Sequence, residues 1–351
     1  MKIRIIGFTS QGCSLAKRIE EALVEQGETC TTYGKTSADD HGLIHVHGSL
    51  KEWTGDAFAE SDAVLFVGAT GIAVRCIAPF IKSKVDDPAV VVIDEQGRFA
   101  ISLISGHIGG ANHLAQRISE IVGATPVITT ATDINGLFSV DSFACRRRLV
   151  IDSMSMAKEV SSRLLDGKKV GFMSDYGIVG SLPPELSASK DCDVGIFITS
   201  KEEGDPFGKT LRLIPKNIVL GIGCRRGTSA SMIEEKVFEV LRSNGLSFKG
   251  VSKVGTIDLK ADEPGLLAFC ERHGLEMKFF SKDELLSLPD IGFSDSEFVS
   301  SVTGVGNVCE RAALAASANG RLIQRKKALD GVTVALAMEE FTVNLREVDH
   351  D

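Results

Sequence analysis

Apolar runs alternate with amphipathic stretches along almost the whole chain. "IRIIGF" is followed by a helical pattern over 13–26 and "AVLFVGA" by one over 71–84. "VVVID" and "FAISLIS" lead into a third over 111–122, and "TPVITTA" ends the series. Strands separated by helices of this length predict βαβ units and a mostly parallel sheet in an N-terminal domain over 1–140. In 111–122, Ala111, Leu114, Ala115, Ile118, Ile121 and Val122 recur at helical spacing. One stripe therefore faces the sheet, with Asn112, His113, Gln116, Arg117 and Glu120 outward.

After "DSFACRRRLVID" the pattern changes. A helix over 154–166, "KKVGFMS", the proline-bearing "GSLPPELSASKD" and "CDVGIFITS" predict a small α+β middle segment over 141–215. Strand and helix alternation resumes with "KNIVLGIGCRRGTSASMIEEKVFEVL", helices over 263–273 and 307–318, and the closing pair "GRLIQRKKAL" and "VTVALAME". This is a C-terminal α/β domain over 216–338, followed by a polar tail, 339–351, that frays. The predicted fold class is α/β: two domains with mostly parallel sheets, a small α+β middle segment joining them, and a ligand cleft between them.

Composition narrows the function. In 351 residues, Lys and Arg total 39 against 47 Asp and Glu, a net charge of −8. That balance lacks the basic field a phosphate backbone needs, so no nucleic-acid partner is expected. Cys13, Cys30, Cys76, Cys145, Cys192, Cys224, Cys270 and Cys309 are scattered singly with no C-x-x-C pair, which fits reduced thiols in the cytoplasm. No apolar run reaches membrane-spanning length, and the first strand is too short for a signal segment, so no membrane partner or export is expected.

The chemistry gathers in loops between strands and helices. His107 follows a strand and is flanked by Ser105, Gly106, Gly109 and Gly110. Glycines let backbone amides approach a ligand, and the helix N-terminus behind them favours negative charge, an arrangement suited to an oxyanion or carboxylate. The same joint is also compatible with a tight turn whose histidine only caps the helix. In a parallel sheet, "GATGIAVR" (68–75), with Gly68, Thr70, Gly71 and Arg75, and "TTATDING" (129–136), with Thr130, Thr132 and Asp133, converge on the same edge. Asp133 then orients His107 as a general base, or forms an Asx-turn ahead of Asn135-Gly136. Arg75 holds a substrate carboxylate or pairs on the surface. Ser105 lacks the spacing of a nucleophile elbow and reads as a loop hydroxyl.

In the C-terminal domain Gly221, Gly223 and Gly227 miss the dinucleotide spacing by one residue. Arg225 and Arg226 add positive charge to that loop, and Ser231 with Glu234 reads as a capping box. Gly304 and Gly306 open another helix, for a ligand or for close packing. His45 and His47 face one way on a strand with no third ligand nearby, and read as surface; no protein metal site is expected.

Together "GATGIAVRCIAP", "ISLISGHIGGANHLAQRI", "GATPVITTATD", "GIGCRRGTS" and "TGVGNVCERAAL" resemble the cobalt-precorrin-5A hydrolase family, the G-type proteins of anaerobic cobalamin biosynthesis. The resemblance covers essentially the whole chain. It implies opening of the δ-lactone between the ring A acetate and C20, then loss of C20 with its methyl as acetaldehyde, giving cobalt-precorrin-5B. For such a reaction His107 and Asp133 are the catalytic candidates, with amides around Gly109 to Asn112 as oxyanion donors. Gly68, Thr70, Gly71, Arg75, Ser105, Gly106, Gly109, Gly110, Asn112, Thr130, Thr132, Arg225 and Arg226 are the substrate-binding candidates. Cobalt arrives with the tetrapyrrole substrate, so no cofactor is expected; the reading leaves room for a homodimer and for transient contact with pathway methyltransferases. Two rivals remain at this point: a nucleotide-dependent α/β enzyme and a non-catalytic tetrapyrrole carrier.

Overall fold

The apolar runs of the first 130 residues become seven strands: β1 (Lys2–Gly7), β2 (Thr29–Gly34), β3 (Ile44–His45), β4 (Ala63–Val67), β5 (Ala89–Ile93), β6 (Phe99–Ile104) and β7 (Thr125–Val127). They form one sheet in the order β3-β2-β1-β4-β5-β6-β7. The computed structural model describes residues 1–83, 86–289 and 291–346, and the chain divides into two units, Met1–Cys145 and Arg146–Asp351.

Helices cover both faces of the first sheet, as its strand sequences require: β4 and β5 are buried at every residue. On one side α1 (Ser10–Glu25) and α4 (Ala111–Val122) pack Leu15, Ile19, Leu114 and Ile118 over Ile3, Leu65 and Val91. On the other, the hydrophobic cluster of α2 (Leu50–Glu60) and α3 (Thr70–Ile77) packs Trp53, Ala57, Ala73 and Ile77 over Ile6, Phe66 and Val92. Helix α1 begins ahead of the apolar pattern because Thr9 caps it, its hydroxyl accepting from Gly12 N at 3.0 Å. Helix α3 stops at Ile77, short of the predicted 84, because Pro79 has no N–H to donate to the Arg75 carbonyl. The unit closes with α5 (Ala131–Ile134) and α6 (Val140–Arg146).

One pairing changes where the loops fall. β1, β2, β4 and β5 run parallel, but β5 and β6 are antiparallel, and β7 follows β6. The connection Asp94–Arg98 is too short for a crossover and can only make a hairpin. The Asp94 carboxylate accepts from the amides of Gln96, Arg98 and Phe99, and Gly97 takes φ +70°.

In the second unit the middle segment is a sheet of its own. β8 (Leu149–Ile151), β9 (Val170–Ser174), β11 (Leu186–Ser187), β12 (Val194–Ile198) and β13 (Lys209–Pro215) take the order β11-β9-β12-β13-β8. Only β8 is antiparallel, and α7 (Met154–Leu165) packs on β9, β12 and β13, so the segment is mostly parallel α/β rather than the expected α+β. β10 (Gly177–Val179) leaves this sheet and pairs in parallel with β19 (Thr342–Asn344). The polar tail is therefore not frayed over its described part: Val343 and Leu345 are buried, supplying the apolar contact that the charged residues around them masked. Residues 347–351 of that tail lie outside the described residues.

The last sheet is β16-β15-β14-β18-β17, built from β14 (Ile218–Cys224), β15 (Val251–Ile257), β16 (Glu276–Phe280), β17 (Arg321–Leu329) and β18 (Val332–Met338). β14, β15 and β16 are parallel, and the β17–β18 hairpin adds antiparallel to β14. Its helices are α8 (Ala230–Ser243), α9 (Pro264–His273), α10 (Lys282–Leu286), α11 (Glu297–Thr303) and α12 (Val308–Ala316). A Cβ on Gly221 would lie 1.8 Å from the Cys309 carbonyl oxygen, and one on Gly255 2.3 Å from that of Ala312, so α12 lies directly on both strands. Gly221→Ala is therefore expected to cost at least about 1–3 kcal/mol by overpacking. A urea midpoint unchanged from the parent would show that α12 can lift away freely.

Candidate active site

His107 leaves the carboxyl end of β6 in a loop that three glycines make possible, two by close approach and one by its backbone angle. A Cβ on Gly106 would sit 2.6 Å from the Asn112 side-chain oxygen, and one on Gly109 2.5 Å from Ser105 Cβ; Gly110 takes φ +86°. Ser105 itself is held at φ +56°, and its hydroxyl is buried without a hydrogen-bond partner.

The imidazole meets Asp133, which the loop after β7 brings to the same sheet edge. His107 Nε2 and Asp133 Oδ2 are 2.7 Å apart. Burial by itself would raise the Asp133 carboxyl, but the hydrogen bond and charge of His107, helped by Thr130, outweigh it and hold the group below its usual value. An ionised carboxylate only accepts, so Nε2 donates, and in the neutral ring the lone pair is on Nδ1. The carboxylate is thus engaged with the ring rather than with an Asx-turn.

Asn112 departs from its predicted outward position. It is 9 % exposed, donates from Nδ2 to Asp133 Oδ2 at 3.0 Å and to Thr130 Oγ1 at 3.2 Å, and accepts from the Ser102 hydroxyl at 2.7 Å. Thr132 is buried beside Asp133 and its hydroxyl has no partner. His113 is exposed, as the helical stripe predicts.

The oxyanion donors also move. Ala111 N and Asn112 N bond the carbonyls of Ser105 and Gly106 at 3.1 and 3.0 Å, and Gly110 N bonds that of His107 at 3.1 Å. Among the described residues the amides of Gly106, His107, Ile108 and Gly109 find no acceptor, so the spare backbone donors lie ahead of the expected Gly109 to Asn112 stretch and share only Gly109 with it.

The loop carrying Gly68, Thr70, Gly71 and Arg75 does not join this cluster. β4 ends at the opposite edge from β6 and β7, and a strand of five residues puts about 15 Å between the two edges. Gly68 packs against Phe8 and donates to the Ile93 carbonyl at 2.8 Å, and Arg75 is exposed with its guanidinium folded back towards Gly71. The expected three-loop convergence assumed a wholly parallel sheet; the β5–β6 hairpin reduces it to two loops.

In the second unit the glycines of "GIGCRRG" are structural. Gly221 admits α12, Gly223 faces the Thr333 hydroxyl, and Gly227 takes φ +76°. The amide of Gly227 already donates to the buried carboxylate of Glu263 at 2.8 Å, an anion where a nucleotide phosphate would need to be. Arg225 and Arg226 are both exposed. The methylenes of Arg225 lie over Gly331, while Arg226 pairs with Asp262 at 3.3 Å. The cap of α8 is Ser229, which accepts from Met232 N, rather than Ser231; Glu234 instead pairs with Arg272 and His273. Gly304 takes φ +71° at the end of α11, and Gly306 lies close against Asp295. The rings of His45 and His47 meet with centroids 4.8 Å apart and planes tilted by 54°, and among the described residues no group of three or more metal-ligating side chains forms.

Comparison with known proteins agrees with the motifs along the whole chain. Residues 52–133 match the family model for the cobalamin synthesis G N-terminal region, 138–215 the cobalamin biosynthesis central region and 218–337 the cobalamin synthesis G C-terminus. The chain is 33% identical over 348 residues to the cobalt-precorrin-5A hydrolase of Salmonella typhimurium, covering 96% of this chain and 97% of that protein. It is 30% identical over 356 residues to the cobalt-precorrin-5A hydrolase of Priestia megaterium, covering 95% and 94%. A solved structure of a cobalamin biosynthesis protein G homologue from Sulfolobus solfataricus aligns with 22% identity, 97% of both chains and a TM-score of 0.42. By identity and coverage, this chain belongs to the cobalt-precorrin-5A hydrolase family, the G proteins of cobalamin synthesis.

Proposed function

We infer that this protein is a cobalt-precorrin-5A hydrolase of the cytoplasm, and that its chemistry is done by the His107–Asp133 pair. Family membership supports the reaction, and one observation supports the residues: the 2.7 Å contact that engages His107 Nε2 and turns Nδ1 to the reaction, in a loop with unused amides. Nδ1 takes a proton from water as its oxygen attacks the lactone carbonyl of the ring A acetate. The amides of Ile108 and Gly109 stabilise the oxyanion, and collapse of the tetrahedral centre expels the C20 oxygen, which receives the proton. The imidazole, neutral again, removes the proton of the C20 hydroxyl. The C20–ring bond then breaks, C20 departs with its methyl as acetaldehyde, and the electron pair left on the macrocycle takes up a proton as the imidazolium gives its own back, which restores the neutral ring. One water is consumed. Cobalt is part of the substrate.

Incubation with cobalt-precorrin-5A and trapping of acetaldehyde with a carbonyl reagent tests the reading. Binding of the tetrapyrrole without acetaldehyde would make the protein a carrier instead.

Arg225 and Arg226 are proposed to meet the peripheral carboxylates of the macrocycle. Contacts far from C20 act almost equally in ground and transition states, so replacing both arginines with Gln is expected to raise KM more than it lowers kcat. The defect should shrink as salt rises, because exposed charges are screened within about 10 Å in 0.1 M salt. Equal affinities of the double variant and the parent at low salt would remove the pair from binding.

A further inference from the structure

The proposed mechanism needs His107 to present one particular nitrogen, and a free imidazole does not choose. Asp133 makes the choice by accepting from Nε2, but a carboxylate that is 35% exposed can turn about its own side-chain bonds. Something has to hold it.

Asn112 is placed to do so. Its orientation is fixed by what it touches: Asp133 can only accept, so the edge of the amide at 3.0 Å from Oδ2 is Nδ2. The opposite edge is then Oδ1, which accepts from Ser102 at 2.7 Å. The second hydrogen of Nδ2 points to Thr130 Oγ1 at 3.2 Å, so both amide donors are used inside the protein. With 9 % of its surface exposed, Asn112 has little to offer a ligand. Its backbone is tied to the same loop, since Asn112 N donates to the Gly106 carbonyl at 3.0 Å. The missing Cβ of Gly106 is what leaves room for the amide.

We propose that Asn112 is the positioning residue of this site: anchored by Ser102, it fixes the Asp133 carboxylate that holds His107 in its Nε2–H form and leaves Nδ1 to take the proton. His107 and Asn112 share the single oxygen Oδ2, so the carboxylate is clamped between the catalytic ring and an amide that is itself anchored to β6. Asn112 need not touch substrate at any step. The proposal rests on the functional reading above only for its kinetic part.

The tautomer can be read in the protein as it stands, without substrate, from the side-chain 15N spectrum of histidine. The His107 signal is assigned by its loss in His107→Gln. The parent is expected to show one tautomer, protonated at Nε2. Asn112→Ala is expected to show both tautomers and to lose about 10- to 100-fold in kcat, the scale of one hydrogen bond to a charged group, with KM within about twofold. Ser102→Ala, which frees the far edge of the amide, should move the spectrum the same way by less. Should Asn112→Ala fail to fold, Asn112→Leu serves: it keeps the size and branching of the side chain and removes the donors without adding charge beside Asp133, and loss of the single tautomer is again expected. An unchanged tautomer in the folded variant overturns the proposal, and an unchanged tautomer with a raised KM makes Asn112 a substrate contact. A parent that shows the single tautomer but releases no acetaldehyde overturns the functional reading and leaves the positioning role intact.

Discussion

His107→Ala is expected to lower turnover by about 10²–10⁴-fold, the range for removal of a positioned general base, with KM nearly unchanged. The ring is largely enclosed, 12% exposed, but it is held by one polar contact and belongs to none of the hydrophobic clusters. Its removal should therefore leave the fold standing, unlike truncation of Leu114 or Ile118 beneath it. The loss has two sources that kinetics can separate. Without the imidazole, water must attack the lactone unassisted, and the C20 hydroxyl must also find another base. If both steps use the same ring, neither the lactone-opened intermediate nor acetaldehyde should accumulate in a single turnover. Build-up of the opened intermediate would confine His107 to the second step, and an unchanged rate would return it to a turn-and-cap role.

The placement of that ring was half legible in the sequence. Alternating apolar runs and glycine-flanked joints put His107 and Asp133 at the carboxyl ends of neighbouring strands, and their pairing follows from two loops of compatible length on parallel β6 and β7. The loop at 68–75 lies away from His107 because "VVVIDEQGRFAISLIS" folds as a hairpin and not as two strands of a parallel series. Its "DEQG" is a hairpin signal, with an aspartate to hold the turn and a glycine for the left-handed position, and one antiparallel pair sends every later loop to the other edge. Helix α2 has a full capping box in Ser49 and Glu52, but its sequence "LKEWTGDAFAE" carries only a weak apolar stripe, so periodicity does not reveal it. Asn112 was assigned outward by the same periodicity that correctly placed His113. Periodicity weighs apolar burial, and it has no way to register a polar side chain buried because every one of its donors is used.

The carboxylate beside the ring gives the second large effect. Asp133→Asn is expected to reduce kcat by about 10²-fold or more, again with little change in KM, through loss of charge rather than of geometry. Asn112 Nδ2 and His107 Nε2 both donate to one oxygen at this position, so an amide introduced there keeps both bonds by turning its oxygen towards them. The tautomer is then preserved. What disappears is the negative charge, already stabilised in the resting protein below its usual protonation range, that offsets the imidazolium formed when Nδ1 takes a proton. Because His107 and Asp133 act as one unit, their losses should not add: His107→Ala combined with Asp133→Asn is expected to be no slower than His107→Ala alone. Rates for the two single variants and the double variant, measured by acetaldehyde release under saturating substrate, close the cycle. Losses that multiply would mean that Asp133 serves the reaction independently of the ring, most directly by taking the C20 proton itself.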